Sequence, residues 1–300
     1  GQIATLKDSG ASIVIASQSM SNQGGSVLAS GDATLAVTGA VNNARGTIQA
    51  QRDLQLTAGG ALNNASGVIE AVTAASSLTL QASTIDNSAG RVVNVGTGAA
   101  TVSAQGLVTN SGLIAGNGSL DLAAGTLRNL TGGSVLSGQR MGLDVAQQLD
   151  NQGVVNSGGT LTFNQTTAIV NNSGQIVSAG QATIAAGVLN NDGGQIATLK
   201  DSGASIVIAS QSMSNQGGSV LASGDATLAV TGAVNNARGT IQAQRDLQLT
   251  AGGALNNASG VIEAVTAASS LTLQASTIDN SAGRVVNVGT GAATVSAQGL

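Results

Sequence analysis

The 300-residue chain contains no Cys, His, Pro, Trp or Tyr and a single Phe. Without His or Cys it has no imidazole base, no thiolate nucleophile, no zinc site of the usual ligands and no disulfide. Charged residues make up 8% of the sequence, against about 25% in a typical globular domain. These absences predict no catalytic residue, no metal site and no cofactor.

Charge and hydropathy exclude two further classes of partner. The formal net charge is −4, which gives no electrostatic basis for binding nucleic acid or anionic lipid. The longest apolar runs, such as Ile13 to Ala16, are far shorter than the roughly 18 residues that a membrane helix needs. We therefore expect neither nucleic-acid binding nor membrane insertion. The missing cysteines suit a cytosolic protein and equally a secreted protein that crosses a pore unfolded.

Glycine is abundant, with 43 residues in 300, about twice its usual share. Such a chain could be disordered, but 42% of its residues are hydrophobic and its net charge is low. Disorder is associated with the opposite balance of few apolar residues and high net charge. The composition therefore favours an ordered chain.

The sequence contains a long internal duplication. Residues Gly1 to Leu107 recur without a substitution as Gly194 to Leu300, at an offset of 193. We expect one continuous repeat array over residues 1–300, made of a unit over 1–193 and an identical partial copy over 194–300. Both ends of the chain fall inside a repeat, so we also expect it to be an excerpt from a longer array.

A shorter, degenerate period lies inside the long one. Its marker is an Asn with an apolar residue two positions before it and a Gly two or three positions after it. The markers lie 19 to 24 residues apart, at Asn22, Asn43, Asn64, Asn87, Asn110, Asn129, Asn151, Asn172, Asn191, Asn215, Asn236, Asn257 and Asn280. The residue just before each marker in the 193-residue unit is polar, and this alternation is typical of a β-strand.

The short period predicts the fold. Other alternating runs, such as "LQLTA" at Leu54 to Ala58, give each period about three short strands, and a 3.6-residue helical pattern is absent. A unit of about 21 residues can bury its apolar side chains only by stacking on the next unit. We therefore predict an all-β, right-handed parallel β-helix of about 14 coils, with the handedness taken from that of parallel crossovers. A β-sandwich or barrel would instead need hairpins and antiparallel neighbours.

The alternation also assigns a role to the marker column. In "GALNNASG", Leu62 and Asn64 share one side of the strand, whereas Asn63 lies on the other. We expect Asn63 at the surface and Asn64 turned toward the core. The thirteen markers should form a structural asparagine ladder, in which each amide hydrogen-bonds turn backbone and stacks on the amides of neighbouring coils.

The repeat pattern "N-x-x-G-x-[IV]-x-A-x-x-x-L-x-L-x-A-x-x-x-L-x-N", seen in Asn43 to Asn64, resembles the haemagglutinin repeat of bacterial filamentous-haemagglutinin-type exoproteins. The resemblance implies a protein secreted to the surface of a Gram-negative bacterium. Its implied partners are an outer-membrane transporter of a two-partner pathway, engaged through an N-terminal domain outside this segment, and a receptor on a host or bacterial cell. It implies a structural or adhesive fibre, or alternatively the stalk of a contact-dependent growth-inhibition toxin.

Polysaccharide-degrading enzymes are a further alternative, because some of them are β-helices. They need carboxylates and basic side chains clustered on one face, whereas Asp32, Asp53, Asp121 and Asp144 lie in different coils. The segment Thr5 to Ser12, which recurs as Thr198 to Ser205, is predicted to be a solvated loop leaving the coil.

Overall fold

The computed structural model describes residues 1–299, and the side chains of all of these except Gln165. Two compact units are distinguished, Gly1–Ala146 and Gln147–Leu300. Within the described residues every regular element is a β-strand, and no helix is present that could cross a membrane. Strand pairs within each unit are parallel.

One sheet, called sheet 1 here, takes a single short strand from each coil. Neighbouring strands pair without a register shift, as Ile48 does with Val27 and with Ile69. The strands of the first unit are Gln2–Ala4, Ser26–Ala29, Thr47–Ala50, Val68–Ala71, Arg91–Asn94, Leu113–Gly116 and Ser134–Ser137. Those of the second unit are Val154–Ser157, Gln175–Ser178, Gln195–Thr198, Ser219–Ala222, Thr240–Ala243, Val261–Ala264 and Arg284–Asn287.

Sheet 2 takes the rest of each coil. In the described residues, seven coils give it two segments: Ile13–Ser17 with Met20–Ser21, Ala33–Val37 with Val41–Asn42, Leu54–Ala58 with Leu62–Asn63, Leu78–Ala82 with Ile85–Asn87, Ala226–Val230 with Val234–Asn235, Leu247–Ala251 with Ala254–Asn256, and Leu271–Ala275 with Thr277–Asp279. Six coils give it one long strand: Ala100–Asn110, Leu120–Asn129, Met141–Asn151, Leu161–Val170, Ala182–Asn190 and Ile206–Ser214; the last described strand is Ala293–Ala297. These parallel coils, about 14 in all at roughly 21-residue spacing, confirm the predicted β-solenoid; the right-handed sense stays a prediction.

The part of each coil that lies in sheet 2 is two separate strands in some coils, as predicted, and one continuous strand in others. The identical sequences Ile13–Ser21 and Ile206–Ser214 show the difference: the first is broken, whereas the second is one strand paired along its length with Ala182–Asn190. A coil's own sequence therefore does not decide the point, because the neighbouring strand carries the hydrogen bonds through the bend.

The core consists of the inward-facing residues of both sheets. In Thr47–Ala50 the burial alternates, with Ile48 and Ala50 fully buried and Thr47 and Gln49 partly exposed. Burying one aliphatic side chain of this size contributes about 1.5–3 kcal/mol, and each coil buries several. Phe163 is 1% exposed, so the single aromatic residue lies inside as its phase with Leu161 predicts.

Variation in coil length is concentrated in the connection from sheet 1 to sheet 2, called the loop corner here. It spans three residues at 51–53, six at 72–77, five at 95–99 and seven at 199–205. The opposite connection, from each ladder Asn to the next strand of sheet 1, varies by only one residue about Asn43 to Thr47. The predicted loop at Thr198 to Ser205 falls at this corner, with Leu199 45% exposed.

This asymmetry predicts where the array accepts added residues. Inserting six Gly/Ser residues after Ala74, in the loop corner, should lower the free energy of unfolding by less than about 1 kcal/mol, because lengthening a flexible loop costs little. The same insertion after Ala65 should abolish two-state unfolding, because it separates Asn64 from Gly67. Urea denaturation followed by circular dichroism measures both, and equal effects of the two insertions would contradict this account.

Candidate functional site

The asparagine corner is the turn that begins at the inward-facing Asn of each coil, as in Asn43 to Gly46. Asn43 is fully buried, and its backbone N–H donates to the carbonyl of Asn63 in the next coil at 2.7 Å. The turn closes with a hydrogen bond from the Gly46 N–H to the Asn43 carbonyl at 2.9 Å. An inward strand residue thus becomes the first residue of a tight turn.

The side-chain amides of this corner are bonded to one another from coil to coil. Asn43 Nδ2 donates to Asn64 Oδ1 at 2.8 Å and to the Val68 carbonyl at 3.1 Å, and Asn43 Oδ1 accepts from Asn22 Nδ2 at 2.7 Å. The amide-to-amide distances lie between 2.6 and 2.8 Å in both units. The first unit brings together Asn22, Asn43, Asn64, Asn87, Asn110 and Asn129; the second brings together Asn151, Asn171, Asn191, Asn215, Asn236, Asn257 and Asn280.

Asn172 is not part of this row, so its assignment is wrong. Asn171 holds the position instead, accepting from Asn151 and donating to Asn191, each at 2.7 Å, while Asn172 is exposed. The segment "IVNNSG" offers two apolar residues followed by two asparagines, and the sequence does not say which apolar residue turns inward. Ile169, fully buried and paired with Leu189, does so, and Asn171 lies two residues after it.

The first asparagine of the pair has a role that the sequence reading missed. Asn63 Oδ1 accepts the N–H of Ala65 at 2.9 Å, and Asn42, Asn190, Asn235 and Asn256 make the same bond two residues ahead. Asp86 and Asp279 do so with carboxylates. The hydroxyl and N–H of Ser281 hold the pKa of Asp279 below its ordinary value. Asn and Asp are the residues that make such local turns, so their enrichment in this column is the available signal.

Glycine at the end of the turn is required by space rather than by backbone angle. A Cβ added to Gly67 would fall on the carbonyl oxygen of Asn43 and lie 2.6 Å from Asn64 Oδ1. The residue just before it, Ser66, has the left-handed backbone, with φ of 55°. Left-handed backbone costs an L-residue roughly 1–2 kcal/mol, yet Arg45, Ser66, Ala89 and their copies adopt it. Position 67 therefore needs glycine because no Cβ fits there, whereas position 66 carries a side chain although its backbone is left-handed.

Three of the four acids that looked scattered lie at or beside the loop corner. Arg52 pairs with Asp32 through two contacts of 3.1 Å, the Asp53 N–H donates to Asp32 Oδ1 at 3.3 Å, and Asp53 Oδ1 accepts from the N–H and hydroxyl of Ser77 at 2.8 and 2.9 Å. Asp121 pairs with Arg140 at 2.8 Å. These residues are exposed, so the ion pairs contribute about 0–1 kcal/mol each.

The second copy repeats this arrangement with Asp225, Arg245, Asp246 and Ser270. The N–H and then the hydroxyl of Ser270 hold the pKa of Asp246 below its ordinary value. A carboxylate stabilised in this way is a poor general acid. Within residues 1–299, no group of three or more acidic side chains is placed to hold a metal ion. The chemistry of both corners is hydrogen bonding between coils.

Replacing Asn64 with Leu tests the ladder. The change leaves Asn43 Nδ2 without its Oδ1 acceptor and the Arg91 carbonyl without its donor, so it should lower the free energy of unfolding by about 1–3 kcal/mol. Asn63→Asp is the matched control, since it keeps the acceptor for Ala65 and should change stability by less than about 0.5 kcal/mol. Denaturant titration gives both values, and an unchanged midpoint for Asn64→Leu would refute the role of the ladder.

A second prediction contrasts Ser66 with Gly67. Gly67→Ala should destabilise the chain by about 2–3 kcal/mol, because the added methyl group meets backbone that cannot move without breaking the stack. Ser66→Gly should be neutral or stabilising by up to about 1 kcal/mol, because it relieves left-handed strain. Thermal and urea unfolding of the two variants decide the matter, and a more harmful Ser66→Gly would overturn this reading of the turn.

A comparison with known protein families identifies a repeat family that matches this chain several times along its length. The model of the Haemagglutinin repeat family matches residues 7–69, 66–112, 95–165, 159–262 and 258–300. No curated protein and no solved structure shows significant similarity. This repeat family is typical of secreted surface exoproteins, and it indicates an adhesin-like repeat region. With matches that run from residue 7 to residue 300 over both units, the chain belongs to the Haemagglutinin repeat family.

Proposed function

We propose that the chain is a structural and adhesive fibre segment of a large secreted exoprotein at the surface of a Gram-negative bacterium. The observation that carries the proposal is the family match over nearly the whole chain, on coils that bond to their neighbours through two sheets and an amide ladder. Such a segment supplies reach and rigidity. It also displays side chains at the loop corner, where Leu199, Lys200 and Asp201 are exposed.

The proposed partners follow from this placement. The chain would be exported unfolded by an outer-membrane transporter of the two-partner type, engaged through an N-terminal domain of the same protein. The absence of Cys supports this route, because no disulfide has to form or break during export. A receptor on a host or bacterial cell is the proposed binding partner, and the lysines, Lys7 and Lys200, both lie in the repeated loop.

Two other functions make different predictions. As the stalk of a contact-dependent growth-inhibition toxin, the segment would hold a toxin away from the cell without adhering by itself. As a polysaccharide-degrading enzyme, it would need free carboxylates on one face. Asp32, Asp121 and Asp225 instead bind Arg52, Arg140 and Arg245, and Asp53 accepts from the backbone N–H of Ser77 in the next coil. These contacts therefore favour a fibre segment over an enzyme, and the adhesion experiment below separates an adhesive fibre from a toxin stalk.

The experiment is adhesion of the purified chain coupled to beads. We expect beads with the native chain to bind epithelial or bacterial cells, and beads with heat-unfolded chain not to bind. The matched variant carries Leu6→Ser, Lys7→Ala, Leu199→Ser and Lys200→Ala, all at exposed positions, and should keep the fold while losing adhesion. Absence of binding by the native chain would favour the toxin stalk, and release of sugars from polysaccharide would favour the enzyme.

A further inference from the structure

Lys200 lies in the loop at 199–205, whose sequence recurs without change at 6–12. Residues 199–203 of this loop are exposed. Within residues 1–299, the backbone N–H and carbonyl groups of Lys200 and Asp201 make no hydrogen bond. The peptide bond between these two residues is therefore accessible, and the backbone on both sides of it is free to pair with another molecule.

Three hydrogen bonds close the loop, and none of them belongs to a sheet. The Ser202 N–H donates to the Leu199 carbonyl at 3.2 Å, Thr198 Oγ1 donates to the Ala204 carbonyl at 3.0 Å, and the hydroxyls of Ser202 and Ser223 lie 2.8 Å apart. Opening the loop breaks these bonds and exposes little apolar surface, because Leu199 is already exposed. We therefore expect the loop to open locally while the sheets stay intact.

Every arginine of the chain, by contrast, has its backbone bonded to a neighbouring coil. Arg238 has an exposed side chain, yet its N–H donates to the Ala258 carbonyl of the next coil at 3.0 Å. Five others donate in the same way, one accepts through its carbonyl and one lies within a paired strand: respectively Arg45, Arg52, Arg91, Arg245 and Arg284, then Arg140, then Arg128. A free backbone, rather than an exposed side chain, is what distinguishes Lys200.

A protease of trypsin-like specificity needs both features in its substrate. Its acidic S1 pocket takes a basic side chain, and its own backbone pairs with a substrate segment that is extended and free of other partners. The two features coincide at Lys200 and at the identical Lys7, and at no arginine. Exposed loops of small polar residues are also where folded proteins are most readily cut.

We propose that the Lys200–Asp201 peptide bond is a processing site, which a protease of trypsin-like specificity cleaves in the folded array. Hydrolysis breaks the bond between the carbonyl carbon of Lys200 and the nitrogen of Asp201. Water supplies the hydroxyl of the new carboxyl group and one hydrogen of the new amine. The site follows from the backbone of this loop, so it does not depend on the adhesive role.

The cut divides the polypeptide without separating its coils. Ala182–Asn190 remains paired with Ile206–Ser214, and Gln195–Thr198 with Ser219–Ala222. Asn191 Nδ2 still donates to Asn215 Oδ1, at 2.7 Å. All these bonds join residues before the cut to residues after it. The cleaved array therefore stays folded and has a defined breakpoint, at which it separates only when the two neighbouring coils are pulled or unfolded apart.

Limited digestion of the native chain with trypsin is the first test, with the products identified by mass after denaturation. Cleavage after Lys200 should be at least about 100-fold faster than after any arginine, because cleavage at an arginine requires stacked coils to unfold first. Lys7 and Lys200 are 193 residues apart, so cutting at both should release the piece 8–200.

Three variants, each shown to be folded by circular dichroism, separate the two requirements. Lys200→Gln should abolish this cut, and Lys200→Arg should keep it. The matched control is Arg238→Gln, which removes an exposed basic side chain from a bonded turn and should leave the rate unchanged. A native chain that is not cut after Lys200, or one cut as fast after Arg238, would overturn the proposal.

The breakpoint is tested on the chain after complete cleavage at Lys200. In buffer without denaturant its two pieces should sediment together, with the mass of one bonded pair. Its urea unfolding midpoint should rise with protein concentration, because unfolding now yields two molecules, whereas the midpoint of the uncut chain should not. Pieces that separate without denaturant, or a midpoint independent of concentration, would show that the coils do not hold the cleaved array together.

Discussion

A hydrogen bond between identical amides, passed from each coil to the next, is the constraint on which the asparagine corner depends. A primary amide carries a donor and an acceptor in one side chain, so the same residue can give and receive at every step. A carboxylate could only accept, and an ammonium could only donate. The bond requires the Asn to be inward, and the buried residue two positions before it follows from the strand period. It also brings Asn43 of the preceding coil so close to Gly67 that no side chain fits there.

The asparagine corner and the loop corner of each coil differ in how much their length varies and in how they are bonded. The asparagine corner has nearly fixed length and a bonded interior, whereas the loop corner varies between three and seven residues in the connections at 51–53 and 199–205. The ion pairs Arg52–Asp32, Arg140–Asp121 and Arg245–Asp225 also lie at or beside the loop corner. Differences in surface chemistry are therefore placed where they do not disturb the stack. This division suits a segment whose framework is constant and whose contacts with other molecules vary.

The sequence predicts the repeating features well because they have one cause, the need of each coil to match its neighbours. Strand positions, the parallel stack and the inward asparagines follow from alternation and spacing. The error at Asn172 arose where two apolar residues and two asparagines stand in succession, so that alternation fits two phases. The fused strand Ile206–Ser214 was not predictable from its own residues, since Ile13–Ser21 has the same sequence and is broken. The Asp32, Arg52, Asp53 and Ser77 contacts were missed because they join residues about one coil apart.

The identity of residues 1–107 with 194–300 has a consequence for how long such a protein is. The offset of 193 residues equals nine ladder spacings, from Asn22 to Asn215. Unequal recombination between the two copies would delete or add 193 residues at a stroke. Because the copies match residue for residue, the coil at the new joint would meet the same neighbour as before. A gain or loss of one such unit therefore changes the length of the chain by nine coils and creates no new packing contact between coils.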